Sequence, residues 1–175
     1  MSCTNLSEVK WNSKLEVIDH GAFYGCVSLP GLSLPDSVRQ IGISTFEGCT
    51  SITELHLSKN VTNVEDAAFK GCTALCNLTL SPNIERIGEE AFSGTSILSL
   101  EIPEGVKTIA NGAFANCIVL QRVDLPASLK RVEENAFSGC NYLSKVIYDG
   151  PPLYFTSIYF GTGNEILVGV YMTDN

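Results

Sequence analysis

Apolar and polar positions recur along the chain with one period. Phe23, Phe46, Phe69, Phe92, Phe114 and Phe137 are separated by 23, 23, 23, 22 and 23 residues, and Phe160 lies another 23 on. Each of the first six follows an alanine, except that Phe46 follows Thr45. With Phe as position 0, aliphatic residues stand six, nine and eleven places on, as in Ile52, Leu55, Leu57 and Leu75, Leu78, Leu80. They return at fifteen and eighteen, as in Val61, Val64 and Ile84, Ile87. Apolar positions nine and eleven flank a polar ten, the period of a strand with one buried face. A single unit this short cannot bury its apolar face, whereas stacked copies cover one another. The pattern therefore predicts a repeat solenoid of about seven 23-residue units. Its strands should form one parallel sheet, with turns or short 3-10 segments opposite and the phenylalanines stacked as a core ladder. Parallel neighbours lie about 4.8 Å apart, so seven strands span roughly 30 Å.

Two further slots repeat. Two residues after each Phe stand Gly25, Gly48, Gly71, Gly94, Asn116 and Gly139. Gly and Asn accept positive φ at least cost, which predicts a left-handed turn. Three residues after stand Cys26, Cys49, Cys72, Cys117 and Cys140, with Cys3 in the same slot if the frame runs backwards. In parallel stacking their Cβ vectors point the same way, which suits buried, reduced thiols better than disulfides. Cys76 alone lies outside this column and is the expected accessible, reactive thiol. One unit breaks phase: a residue is missing between Gly94 and Ile102. A local adjustment of the turn is expected there, with the strand register kept.

Leu-x-x-Leu-x-Leu, prolines at Pro35, Pro103 and Pro126, two spaced aliphatics and Ala-Phe-x-Gly-Cys together resemble the BspA-like (Treponema pallidum type) leucine-rich repeats over about residues 3–148. The resemblance implies a right-handed superhelix. It also implies adhesion to host cells or matrix proteins, from a cell-surface or secreted location. The first residues, Met-Ser-Cys-Thr-Asn-Leu-Ser-Glu, show neither the charged nor the apolar part of a secretory signal.

Residues 1–150 are expected to form the solenoid and residues 151–175 a degenerate C-terminal cap. Asp149-Gly150-Pro151-Pro152 marks the break, and the tail reads as a closing unit plus one added strand. Trp11 is placed to cover the first unit as a partial cap. The alternative for both ends is self-association, because the tail is rich in aromatics.

Charge narrows the partners. Lys and Arg total 11 against 19 Asp and Glu, a formal net charge of -8. Nucleic acid requires a basic face and is a poor partner. No apolar run is long enough for membrane insertion. Acidic pairs before Ala-Phe, such as Glu65-Asp66 and Glu133-Glu134, should ion-pair with basic residues a few places earlier. No calcium-loop spacing, nucleophile motif or phosphate loop is present, so neither a metal, a cofactor nor catalysis is expected. Positions eight and ten of each strand point outward. They place Glu8, Lys10, Glu54, His56, Asn77, Thr79, Glu101, Arg122, Asp124 and Lys145 on the sheet face as the candidate surface for a protein ligand. The leading expectation is a non-catalytic protein-binding module; a self-assembling scaffold is the alternative.

Overall fold

The computed structural model describes residues 3–174. In chain order the elements are β1 (Val17–Ile18), β2 (Leu32–Ser33), β3 (Gln40–Ile41), β4 (Glu54–His56), β5 (Asn63–Val64), β6 (Asn77–Thr79), β7 (Arg86–Ile87), β8 (Ser99–Glu101), β9 (Thr108–Ile109), β10 (Arg122–Leu125), β11 (Arg131–Val132), β12 (Lys145–Tyr148), α1 (Pro152–Phe155), β13 (Tyr159–Phe160) and α2 (Glu165–Asp174). All strand pairs are parallel. The chain is thus a parallel-strand solenoid of leucine-rich-repeat type.

The phenylalanines file in one row. Successive rings from Phe23 to Phe137 lie 5.1–5.5 Å apart. Their planes tilt by 3–7° except at the last pair, where the tilt is 19°. Trp11 meets Phe23 edge-on at 5.6 Å and covers the first ring, as expected. Before the inner rings the alanine slot is sealed: Ala68, Ala91, Ala113 and Ala136 are fully buried, whereas Ala22 at the first ring is exposed. Thr45 fills the same slot by donating its hydroxyl to the Gly42 carbonyl at 2.6 Å.

The turn around each ring carries a backbone ladder of its own. Phe46 N–H donates to the Ala68 carbonyl, Gly48 N–H to Lys70 and Ser44 N–H to Asp66 of the next unit. The chain turns left-handed on either side of the ring. The residue two after Phe has positive φ, as the Gly/Asn slot predicts. So has the residue two before, where Ser44, Ala67, Glu90 and Asn135 carry φ of 51–56°.

Two strand ladders run along the stack where the sequence pattern predicts one. The front ladder uses positions eight to ten, in β2, β4, β6 and then β8, β10, β12. On the back, positions seventeen and eighteen form the second in two pieces, a pair β1 and β3 and a run β5, β7, β9, β11 and β13, with β3 and β5 unpaired. The phase break acts differently on front and back. Arg86 pairs with Thr108 on the back, so register is kept there. On the front, β6 and β8 are not paired, and the expected continuous register fails. The missing residue shortens the lead into β8. Ser96 N–H is held to the Leu75 carbonyl, and Ile97 reaches the core one place early, leaving β8 displaced from β6.

Four other expectations are corrected. Glu8 and Lys10 flank no strand, so the front ladder has six strands rather than seven. Cys3 is exposed rather than part of the buried column. Phe160 is not a seventh ring. The α1 insertion shifts the frame so that Phe160 pairs with Val132 in the back ladder and packs on Phe155 at 5.3 Å. Finally, the added strand of the tail is β13, while the apolar run from Ile166 to Tyr171 lies in α2. A short apolar run does not distinguish the two states by period.

Candidate binding face

The front ladder aligns its outward side chains in rows. Glu54 stands beside Asn77, and Ser33, His56 and Thr79 follow one another. Across the break, Ser99, Arg122 and Lys145 form one row, and Glu101, Asp124 and Ile147 the next. The ten predicted site residues therefore fall into three places. Glu54, His56, Asn77 and Thr79 share one patch; Glu101, Arg122, Asp124 and Lys145 share a second. Glu8 and Lys10 lie outside the ladder, 3.9 Å from each other and strongly exposed. Every one of these side chains is exposed except Asp124, which is half-buried. Arg122 donates to both Asp124 oxygens, Nε to Oδ1 at 2.8 Å and Nη2 to Oδ2 at 2.6 Å. That bidentate pair raises the Arg122 pKa, first through its hydrogen bonds and then through charge.

Cys76 is half-buried and donates its thiol to the Thr53 carbonyl at 3.5 Å. The buried thiols have a different task. Cys49 donates to the Phe23 carbonyl, Cys72 to Phe46, Cys117 to Phe92 and Cys140 to Phe114, each in the preceding unit, at 3.0–3.4 Å. Burial pushes the Cys49 pKa up to about 11 and raises that of Cys72 as well. On the back, the expected pairing of acidic and basic rows holds for Arg86 and for Arg131, which reaches Glu133 at 3.4 Å, and a further pair comes from Lys70, outside the basic row. Arg86 reaches Glu65 at 3.2 Å and Asp66 at 2.7 Å, and Lys70 reaches Glu90 at 2.6 Å. Among the described residues no group of His, Cys, Asp and Glu is placed to hold a metal ion, and no helix is long and apolar enough to cross a membrane.

The break in the front ladder adds residues that the strand pattern misses. A groove of about 410 Å³ opens between β6 and β8, lined by Leu78, Thr79, Leu80, Pro82, Glu101, Pro103 and Glu104. The signal for it in the sequence is the single spacing of 22.

The BspA type leucine rich repeat region model matches in six copies over residues 1–118 and 85–161. The chain belongs to the BspA-type leucine-rich repeat family. Among solved structures it is similar to the T. pallidum leucine rich repeat protein, at 33% identity and a TM-score of 0.76, covering 84% of this chain and 67% of that one. A leucine-rich repeat protein from Bacteroides ovatus matches at 28% identity and a TM-score of 0.64, over 84% of this chain and 43% of that one. A leucine rich cell surface protein from Faecalibacterium prausnitzii matches at 22% identity and a TM-score of 0.56, over 83% and 60%, and shares the fold. No curated protein matches the chain. BspA-type and other leucine-rich repeats are generally non-catalytic modules of protein interaction. Proteins of the BspA-like family are typically surface or secreted.

Proposed function

We propose that the chain is a non-catalytic protein-binding module that adheres to host-cell or extracellular-matrix proteins from a cell-surface or secreted position. The observation that carries this reading is the exposed polar front ladder: two four-residue patches held on rigid, register-locked strands. Family membership adds support, and so does the fold shared with a protein described as a cell surface protein. The face has no Trp or Tyr among these ten residues, the side chains that dominate binding energy elsewhere, so each contact is modest and affinity comes from several together. Residues 151–175 serve as the closing cap.

The test is a binding screen of the whole chain on immobilised fibronectin, laminin and collagen. It is run beside a variant with Glu54→Ala, His56→Ala, Arg122→Ala and Asp124→Ala together. Loss of binding in the variant is expected; equal binding removes the front face from consideration. One observation favours a second reading, assembly into a scaffold. Leu153 and Tyr154 of α1 are 84% and 61% exposed. That reading requires a molecular mass that rises with protein concentration.

A further inference from the structure

The front ladder is interrupted at one place, and the interruption leaves main-chain groups facing one another without bonds. The Asn77 N–H and the Thr79 carbonyl are turned to the β4 side, bonded to the Thr53 carbonyl and the Leu57 N–H. By strand alternation the groups of Leu78 and Leu80 face β8. On β8, the Leu98 carbonyl and the Ile102 N–H bond to Gln121 and Asp124. The groups of Ser99 and Glu101 therefore face β6. Since β6 and β8 are unpaired, this is an open edge inside a sheet rather than at its end.

The gap has a definite size. Cα atoms of the two strands approach within 8 Å. Inserting a third strand requires two spacings, roughly 9.6 Å, so a backbone cannot enter. A side chain can, and the groove offers about 410 Å³. Its walls are apolar: Leu78 and Leu80 are half-buried, whereas Leu55 is fully buried and Leu100 is 2% exposed. Pro82 and Pro103 extend those walls. Its polar groups are acidic. Glu104 uses Oε1 to accept the Ala127 N–H at 2.8 Å, which leaves Oε2 for a ligand. Glu101 stands in the row of Asp124, whose own cation, Arg122, is already bound to it twice. No Lys or Arg lines the groove. Pro82 and Glu104 also border a second depression of about 430 Å³ over the turn at Asn83, where the one basic lining residue, Lys59, is held by Asp36 at 3.1 Å.

We infer that the groove between β6 and β8 takes a lysine or arginine side chain from an extended segment of the partner protein. The aliphatic stem lies on Leu78, Leu80 and the two prolines, as long basic side chains do on apolar surface. The cationic head meets Glu101, Glu104 and the unpaired edge carbonyls. A net charge of -8 steers a basic segment toward the molecule. This assignment rests on the protein-binding reading of the front face and names the chemistry of its anchor.

The test uses a labelled peptide, Gly-Ser-Thr-Val-Arg-Val-Thr-Ser-Gly, and its counterpart with Gln for Arg, titrated into the whole chain while leucine methyl signals are followed by NMR. The arginine peptide should shift Leu78 and Leu80 and bind at least about tenfold more tightly than the glutamine peptide. E101Q with E104Q should lose about tenfold, and E16Q with E89Q, the same change in charge at exposed positions off the front face, should stay within about twofold. T79R, which supplies a cation from the groove's own wall, should also lose binding. Equal losses in the two glutamate variants, equal binding of the two peptides, or no leucine shift would overturn the assignment. The peptide assay needs no matrix protein. A negative matrix screen with a positive peptide result therefore sinks adhesion and leaves the groove standing.

Discussion

Asn164 Oδ1 accepts the main-chain N–H of Phe137 at 3.0 Å. In each earlier unit that N–H goes to the carbonyl of the residue preceding the next ring, as from Phe114 to Ala136 at 2.8 Å. The Asn164 side chain thus takes the place of a further unit. Its Nδ2 donates to the carbonyls of Glu133 at 2.6 Å and Gly161 at 2.8 Å, and the residue is fully buried.

Replacing it leaves buried main-chain groups without partners. Asn164→Leu should destabilise the fold by about 2–4 kcal/mol, read as a lower urea midpoint. A loss under about 1 kcal/mol would show that the end is closed by apolar packing instead.

The left-handed residue two before each ring offers the opposite kind of test. Ala67 has φ of 54°, a region that costs a residue with Cβ about 1–2 kcal/mol. Part of that cost is offset by the greater freedom of glycine in the unfolded chain. Ala67→Gly should therefore raise the thermal midpoint, by up to about 1 kcal/mol in stability. Ala68→Gly, at the buried slot next door, should lower it.

These two slots also show where the sequence speaks. The Gly/Asn slot after the ring is visible because its residues share one conformational property. The slot before the ring is only half marked: Gly21, Gly112 and Asn135 carry the same property, but Ser44, Ala67 and Glu90 do not, and there the left-handed turn shows only in the structure. The rings, the thiol column and the outward rows are legible because side-chain type repeats with burial. Phe160 misleads because its spacing of 23 is a coincidence across the α1 insertion. The groove is half legible: the lost residue is plain in the count. Which of two ladders absorbs it depends on Ser96 and Ile97 tightening the lead into β8, which no spacing reveals.

Thiol chemistry gives a pH-dependent prediction. Burial raises the Cys49 pKa from 9.0 to about 11, so the folded state holds its proton more tightly than the unfolded one. That contribution to stability is complete below pH 9.0 and is lost as pH rises toward about 11. The Tm should fall across this window, and less steeply in Cys49→Ala. In native protein at neutral pH, a maleimide reagent should label Cys3 and Cys76 and spare Cys26, Cys49, Cys72, Cys117 and Cys140. Rapid labelling of all seven would contradict the buried column.

Restoring the period should close the groove. One Ser inserted between Ser96 and Ile97 returns that unit to the common spacing and lets β8 pair with β6. Amide hydrogen exchange at Leu80 and Glu101 should slow, and stability should rise by about 1 kcal/mol per bond gained. Unchanged exchange at those amides would mean that something other than length holds the strands apart.

Because the rings meet through the same three main-chain bonds at every junction, an internal unit carries no address. Whole copies can be duplicated or deleted in the interior, and the molecule changes its reach without redesigning a joint. The last ring differs, since the Asn164 side chain accepts its main-chain N–H where a further unit would stand.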